Sequence, residues 1–316
     1  MQQIKIGAPA RLHLGFLDLH GGLGRNFGSL GLTLDRLKTV VSVRRADHLT
    51  AEGPSADRVK QFVLDLMKHL GQQFDVHINI EKVIPSHIGL GSGTQLLLSV
   101  GHAISQLFDL KLDIQTIAGI AERGARSGIG IGAFENGGFL IDSGKGSEDK
   151  PPSISFRADF PAEWRILLIF DEQIQGLHGV KEIEAFRALP QFPAEKAGEI
   201  CRLTLMQLIP GLKEVDLALF ANAIGKTQQI IGDYFSPAQG GRFISPAVME
   251  VLQWLEQQGI SGIGQSSWGP TGFAILPSED EARKLLESLR HQWGKQGVLR
   301  FEIFCGLNSG AEIEYL

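Results

Sequence analysis

Cysteine and tyrosine are nearly absent from this 316-residue chain, at two residues each. Cys201 and Cys305 stand far apart in the sequence, which excludes a disulfide framework and a Cys-x-x-Cys metal or redox pair. Both read as reduced core residues of a cytoplasmic protein. Long apolar runs are missing too: none approaches the ~18–20 residues needed to cross a bilayer. The N-terminus enters a strand pattern at once, with no basic stretch leading into an apolar one, so no signal peptide is expected. Basic residues are outnumbered, 30 Lys and Arg against 35 Asp and Glu, for a net charge of −5. Without clustered positive charge, nucleic acid is excluded as a partner. His13 and His20 have no Cys or Glu nearby to complete a ligand set, so the pair is not expected to bind metal.

Glycine is plentiful, at 39 residues, and one concentration of it carries chemistry. Pro85-Ser-His-Ile-Gly-Leu-Gly-Ser-Gly-Thr94-Gln95 runs straight into the apolar, helix-like Leu96–Ile104. Gly89, Gly91 and Gly93 let the backbone turn tightly and present bare N–H groups. The helix that follows adds unpaired donors and the positive end of its dipole, which favours a phosphate by roughly 0.3–2 kcal/mol per contact. Two better-known nucleotide loops do not fit. Gly225-Lys226-Thr227 has Phe220 where a Walker loop needs its first glycine, and Gly128-Ile-Gly-Ile-Gly132 follows a helix-like segment instead of a strand.

Pro-x-x-x-Gly-Leu-Gly-Ser-Gly resembles the second signature of the GHMP kinase superfamily. Ile4-Lys-Ile-Gly-Ala-Pro-Ala-Arg11-Leu-His13-Leu-Gly15 resembles the first, and Gly264-Gln-Ser-Ser-Trp-Gly269-Pro-Thr-Gly-Phe-Ala-Ile275 the third, a turn between strands. Their order and span make the chain similar to that superfamily over most of its length. Residue patterns predict strands at 39–44, 75–80, 164–170, 271–276 and 298–304. Helices are predicted at 57–70, 112–123, 194–209, 215–234, 245–258 and 279–293. The loop Ser143–Ser153 divides the chain into domains 1–153 and 154–316. The class is therefore α+β in two domains. The resemblance implies a ribosomal S5 domain 2-like N-terminal domain, with a left-handed βαβ unit, and a ferredoxin-like C-terminal one.

Many of these kinases carry an aspartate that deprotonates or orients the acceptor hydroxyl. The corresponding stretch here, Arg126-Ser-Gly-Ile-Gly-Ile-Gly-Ala-Phe-Glu135-Asn136-Gly-Gly138, has no aspartate, and glycine cannot take a proton. Arg11-Leu-His-Leu-Gly-Phe-Leu-Asp18, Gly24-Arg25-Asn-Phe-Gly28, Gln239-Gly-Gly-Arg242-Phe and Gln265-Ser-Ser-Trp268-Gly-Pro-Thr instead resemble a non-kinase family, the β-ribofuranosylaminobenzene 5′-phosphate synthases. That resemblance implies joining phosphoribosyl pyrophosphate to 4-aminobenzoate with loss of carbon dioxide and pyrophosphate, in tetrahydromethanopterin biosynthesis. It also implies Mg²⁺ and a homodimer. An ATP-dependent sugar or alcohol kinase, with Asp18 or Asp142 as base, is the alternative; a non-catalytic phosphoribosyl pyrophosphate sensor is a third.

The candidate site follows. Gly89, Gly91, Ser92, Gly93 and Thr94 would bind phosphate, and Ser92 or Thr94 would also contact magnesium. Arg11 and Arg25 would clamp the 5-phosphate or the aromatic carboxylate, or else make ordinary ion pairs. Asp18 would hold ribose hydroxyls or magnesium, or form a turn. His13 would face the pocket or sit satisfied in the core; His178 is a second candidate, and His87 could simply face solvent. Glu135 would bind magnesium or the 4-amino group, or cap loop amides. Ser267 and Trp268 lie on the third signature, where the indole would stack on the acceptor or cover the core. Gly269 and Thr271 would shape that turn beside the phosphate loop.

Overall fold

β1 (Gln3–Asp18) and β2 (Phe27–Arg45) form a long antiparallel hairpin whose alternating Ile4, Ile6, Ala8, Val41 and Val43 are fully buried. The computed structural model describes residues 3–148, 150–176, 179–294 and 297–316. β2 is long enough to pair twice: its C-terminal half with β4 (Val76–Lys82), and Leu30–Leu32 with β5 (Phe139–Asp142). β3 (Thr50–Glu52) runs parallel to β4, and α1 (Ala56–Leu70) forms the crossover between them. β6 (Ile154–Ala158) pairs with β5, and β11 (Glu312–Tyr315) returns from the far end of the chain to pair with β1. Gln3 and Leu316 exchange backbone bonds of 3.0 and 2.8 Å there. α1, α2 (Ser92–Leu107) and α3 (Ile114–Ile120) bury Phe62, Val63, Leu98, Val100 and Ile117 against this seven-stranded sheet.

The second sheet has the antiparallel order β10-β7-β9-β8, from β7 (Arg165–Asp171), β8 (Ile263–Gln265), β9 (Gly272–Leu276) and β10 (Leu299–Phe304). With α8 (Leu217–Gln239) and α9 (Pro246–Gln257) after β7, and α10 (Glu279–Trp293) after β9, this is the ferredoxin-like β-α-β-β-α-β arrangement. α9 and α10 cover one face through Val251, Leu252, Leu255 and Leu289. The other face shares a core with the first sheet: Leu12, Leu14, Leu30 and Leu32 meet Ile166, Leu168, Phe170, Phe273 and, from α8, Phe220. That shared core fixes the β8–β9 turn against the start of α2.

Two expectations are corrected. The sheets divide after Ala158, not after residue 153, because β6 completes the first sheet; β11 belongs there too. The helix expected over 194–209 is α6 (Ala194–Leu203), a wide π turn over 204–208 and α7 (Ile209–Lys213). Gly128–Gly132 falls in and just before a short buried helix, α4 (Ile129–Glu135). Gly225-Lys-Thr lies inside α8, which excludes it as a phosphate loop.

Candidate active site

The phosphate loop lies between β4 and α2, and three of its carbonyls are tied down. Thr271 Oγ1 donates to Ile88 O at 2.7 Å. Ser266 Oγ and Arg11 Nη1 donate to Gly89 O at 2.7 and 2.6 Å. Arg11 N donates to Leu90 O at 3.2 Å. In a trans peptide the carbonyl and the following N–H point in opposite directions, so the Gly89 amide turns away from the Thr271 hydroxyl and the Gly91 amide away from the Arg11 backbone, while the Arg11 side chain still lines the cavity with Gly91, Ser92 and Gly93. Gly89 and Gly91 have φ of +86° and +84°, the alternation that forms an anion-binding nest. The amides of Gly91, Ser92 and Gly93 have no acceptor among the described residues, as is usual in the first turn of a helix, where such groups can bind an anion.

The β8–β9 turn braces this loop at close quarters. A Cβ on Gly269 would fall 2.3 Å from Ile88 O, and one on Gly89 would fall 2.1 Å from Ser266 O. Ser266 is fully buried and its hydroxyl also accepts from His13 N at 3.0 Å, so one side chain links β1, the turn and the loop. From α8, Gln228 adds a second tie, donating to Leu14 O at 2.8 Å and accepting from Gln265 N at 2.9 Å.

Over the loop lies a cavity of about 190 Å³ lined by Gly89, Gly91, Ser92, Gly93, Thr94, Ser267, Trp268 and Gly269, together with Arg11 and His87. The expected phosphate-binding residues are thus brought together. Two further lining residues, Arg123 and Glu182, carry no sequence signal of their own. Burial pushes the Arg11 guanidinium down to about 10, still charged at neutral pH, and its Nε has no partner. Glu182 pairs with Arg126, whose guanidinium also stacks 4.5 Å from the Phe186 ring.

Other candidates lie elsewhere. Arg25 donates to Ser143 O at 2.7 Å, Ser143 Oγ at 3.2 Å and Gly144 O at 2.9 Å; it ties the β1–β2 loop to the loop after β5 and does not line the phosphate cavity. Asp18 Oδ1 accepts from His20 N and Gly21 N at 2.7 and 2.9 Å, a turn-forming role. Glu135 is exposed at the C-terminal end of α4, whereas Gly130 at the other end packs against Thr94. His178 lies outside the described residues. His13 is buried behind the turn with Nε2 unpartnered; burial first, and the Arg11 charge second, push it down to about 3, so it is neutral. Trp268 reaches the cavity but is packed on Phe235 and Phe186, with ring centroids at 4.3 and 5.3 Å, so its main role is in the core. Arg242 of the Gln239-Gly-Gly-Arg motif pairs with Asp233 at 2.7 Å.

Among the described residues, no aspartate stands beside the loop in the 126–138 stretch, and the carboxylate that lines the cavity, Glu182, is paired with Arg126. Asp142 is buried and committed to Gly128 N at 2.7 Å, Gly144 N at 2.9 Å and Ser127 Oγ at 3.2 Å. Nor do the described residues group three His, Cys, Asp or Glu side chains as a metal cage. The oxygen donors that line the cavity are the hydroxyls of Ser92, Thr94 and Ser267 and the Arg126-paired carboxylate of Glu182, a set that would suit a hard cation carried in on phosphate oxygens. Cys201 and Cys305 are free, and no helix of the described residues is long and apolar enough to cross a membrane.

Comparison with known proteins agrees with this geometry. Residues 57–138 match the family described as GHMP kinases N terminal domain, and 208–295 that described as GHMP kinases C terminal. Among solved structures, mevalonate diphosphate decarboxylase from Staphylococcus aureus superposes with a TM-score of 0.70 at 14% identity, covering 99% of this chain and 98% of that one. Homoserine kinase from Cytophaga hutchinsonii gives 0.68 at 20%, covering 99% and 97%. In sequence, β-ribofuranosylphenol 5′-phosphate synthase of Methanocaldococcus jannaschii is 32% identical over 93% of this chain and 94% of its own. The same enzyme of Archaeoglobus fulgidus is 29% identical over 98% and 99%. The chain belongs to the β-ribofuranosylphenol 5′-phosphate synthase family, within the GHMP kinase superfamily.

Proposed function

We propose that the protein is a decarboxylating phosphoribosyltransferase that joins phosphoribosyl pyrophosphate to a benzoate bearing a para electron donor. The observation that carries this reading is a braced phosphate loop whose facing position, Gly130, holds no base. A diphosphate can leave from such a site, and a glycine at position 130 cannot deprotonate an acceptor hydroxyl. The C1–O bond of the donor breaks with its electron pair going to pyrophosphate. The ring carbon bearing the carboxylate bonds to C1, and loss of carbon dioxide returns the C–C electrons to the ring. The step requires orientation and stabilisation of the leaving charge, not a strong base. The Gly91–Gly93 amides and Arg11, which line the cavity together, would supply that stabilisation. Magnesium would enter on the diphosphate, steadied by Ser92 and Thr94.

Both 4-aminobenzoate and 4-hydroxybenzoate activate the attacked carbon in the same way. The relatives' name places a phenol in their product, so the two acceptors belong in one assay. Purified protein incubated with Mg²⁺, phosphoribosyl pyrophosphate and each carboxyl-labelled benzoate, without ATP, should release labelled carbon dioxide that requires both substrates. No release with either, together with ATP consumption on a sugar or alcohol panel, refutes the reading.

A further inference from the structure

Two arginines, Arg58 and Arg123, meet at the first turn of α2. Arg58, in the first turn of α1, lays its guanidinium over Gly93: a Cβ there would stand 2.8 Å from Nη2 and 3.1 Å from Nη1. Arg123, in the turn after α3, lines the cavity with Gly91, Ser92, Gly93 and Thr94. The two charges sense each other. Burial, then the Arg58 charge, push Arg123 down to about 10, against an opposing pull from Glu122. Burial also lowers Arg58. Neither guanidinium forms an ion pair among the described residues, and Arg123 Nε is buried without a partner. Arg126, three residues further on, is by contrast fully engaged by Glu182 and Phe186.

Two like charges, partly desolvated and unpaired, cost the folded state stability. An anion between them removes that cost, and guanidinium forks match phosphate oxygens bidentately. The absent side chain at Gly93 is what lets Arg58 come so close to the free amides.

We propose that Arg58 and Arg123 form the subsite for the second phosphoryl group of a diphosphate, whose first group sits on the α2 amides and Arg11. This rests on the reading that the loop holds the phosphoribosyl donor, and it assigns the pair to the group that departs as pyrophosphate. When the C1–O bond breaks, the electron pair passes to a diphosphate whose far end already meets two cations, so no donor has to move.

Calorimetric titration with inorganic phosphate and inorganic pyrophosphate, each with Mg²⁺, tests the assignment. The wild type should prefer pyrophosphate. Arg58→Gln and Arg123→Gln should each weaken pyrophosphate about 10- to 100-fold while phosphate changes by less than about threefold. Arg58→Lys and Arg123→Lys should recover part of the loss, and they replace the Gln variants if either of those fails to fold. Because each Gln substitution relieves repulsion, melting temperatures should not fall. A pyrophosphate affinity unchanged in both variants, or a parallel loss of both anions, overturns the subsite; so does a lower melting temperature with the preference intact. Carbon dioxide release separates the two readings: release without arginine-dependent preference sinks the subsite alone, and preference without release sinks the reaction alone.

Discussion

His13 should make the fold acid-sensitive in a predictable window. The imidazole is 3% exposed, its Nε2 meets no partner, and burial with the Arg11 charge holds it at about 3. In the unfolded chain a histidine titrates near ~6.5. The folded pKa is therefore depressed, and between these values the unfolded state binds the extra proton. Stability is full above about pH 6.5 and falls as the pH drops towards 3. Worked at pH 5, the proton taken up on unfolding costs about 2 kcal/mol relative to pH 7.5. His13→Gln keeps a polar side chain of similar reach and removes the titration. Urea unfolding of both proteins at the two pH values isolates the effect, because every other titrating group cancels in the difference. Wild type should lose about 2 kcal/mol more than the variant. Equal losses would mean that His13 is solvated or paired in solution, and would refute the buried neutral imidazole.

Other substitutions separate binding from architecture. Gly89→Ala forces a methyl against Ser266 O at a φ of +86°, costing about 1–3 kcal/mol of strain, and should abolish saturable pyrophosphate binding; a titration matching wild type counts against the brace. Arg25→Ala should lower stability by about 1–3 kcal/mol through loss of its bonds to Ser143 and Gly144, and leave KM for phosphoribosyl pyrophosphate unchanged; a marked rise in KM restores Arg25 to the site. Asp142→Asn loses charge-assisted bonds to two amides, so the urea midpoint should fall by the equivalent of about 2–3 kcal/mol. An unchanged midpoint contradicts its role as the anchor of α4.

The loop, the first strand and the bracing turn were legible because each is local. Glycine at left-handed positions, hydroxyls and a following apolar helix occupy a dozen or so consecutive residues, and their physics needs no distant partner. Arg58 and Arg123 were not legible. Each sits among ordinary surface charges in its own stretch, and only the packing of α1 and α3 on α2 brings them to Gly93. Arg25 shows the converse case. A glycine-rich loop around an arginine reads as ligand-binding, but the carbonyls that satisfy it come from residues 143 and 144, a pairing set by tertiary structure. α4 was missed because three glycines, Gly128, Gly130 and Gly132, precede or enter its span, and glycine is a poor helix former. Here close packing overrides propensity: a Cβ at Gly132 would collide with Ile154 at 2.6 Å. β11 has only four residues, too few for alternation to announce a strand.

That last strand has a consequence for biogenesis. β1 leaves the ribosome well before its outer partner, by roughly 15–60 s at typical elongation rates. Until then the β1 edge over Ile4–Gly7 stays open to any passing strand, the usual route to misassembly. Lys5, between those two residues and half-exposed, places a charge in the middle of that edge. A nascent chain stalled short of residue 312 should therefore aggregate more readily when Lys5 is replaced by valine, although the finished protein would tolerate the change.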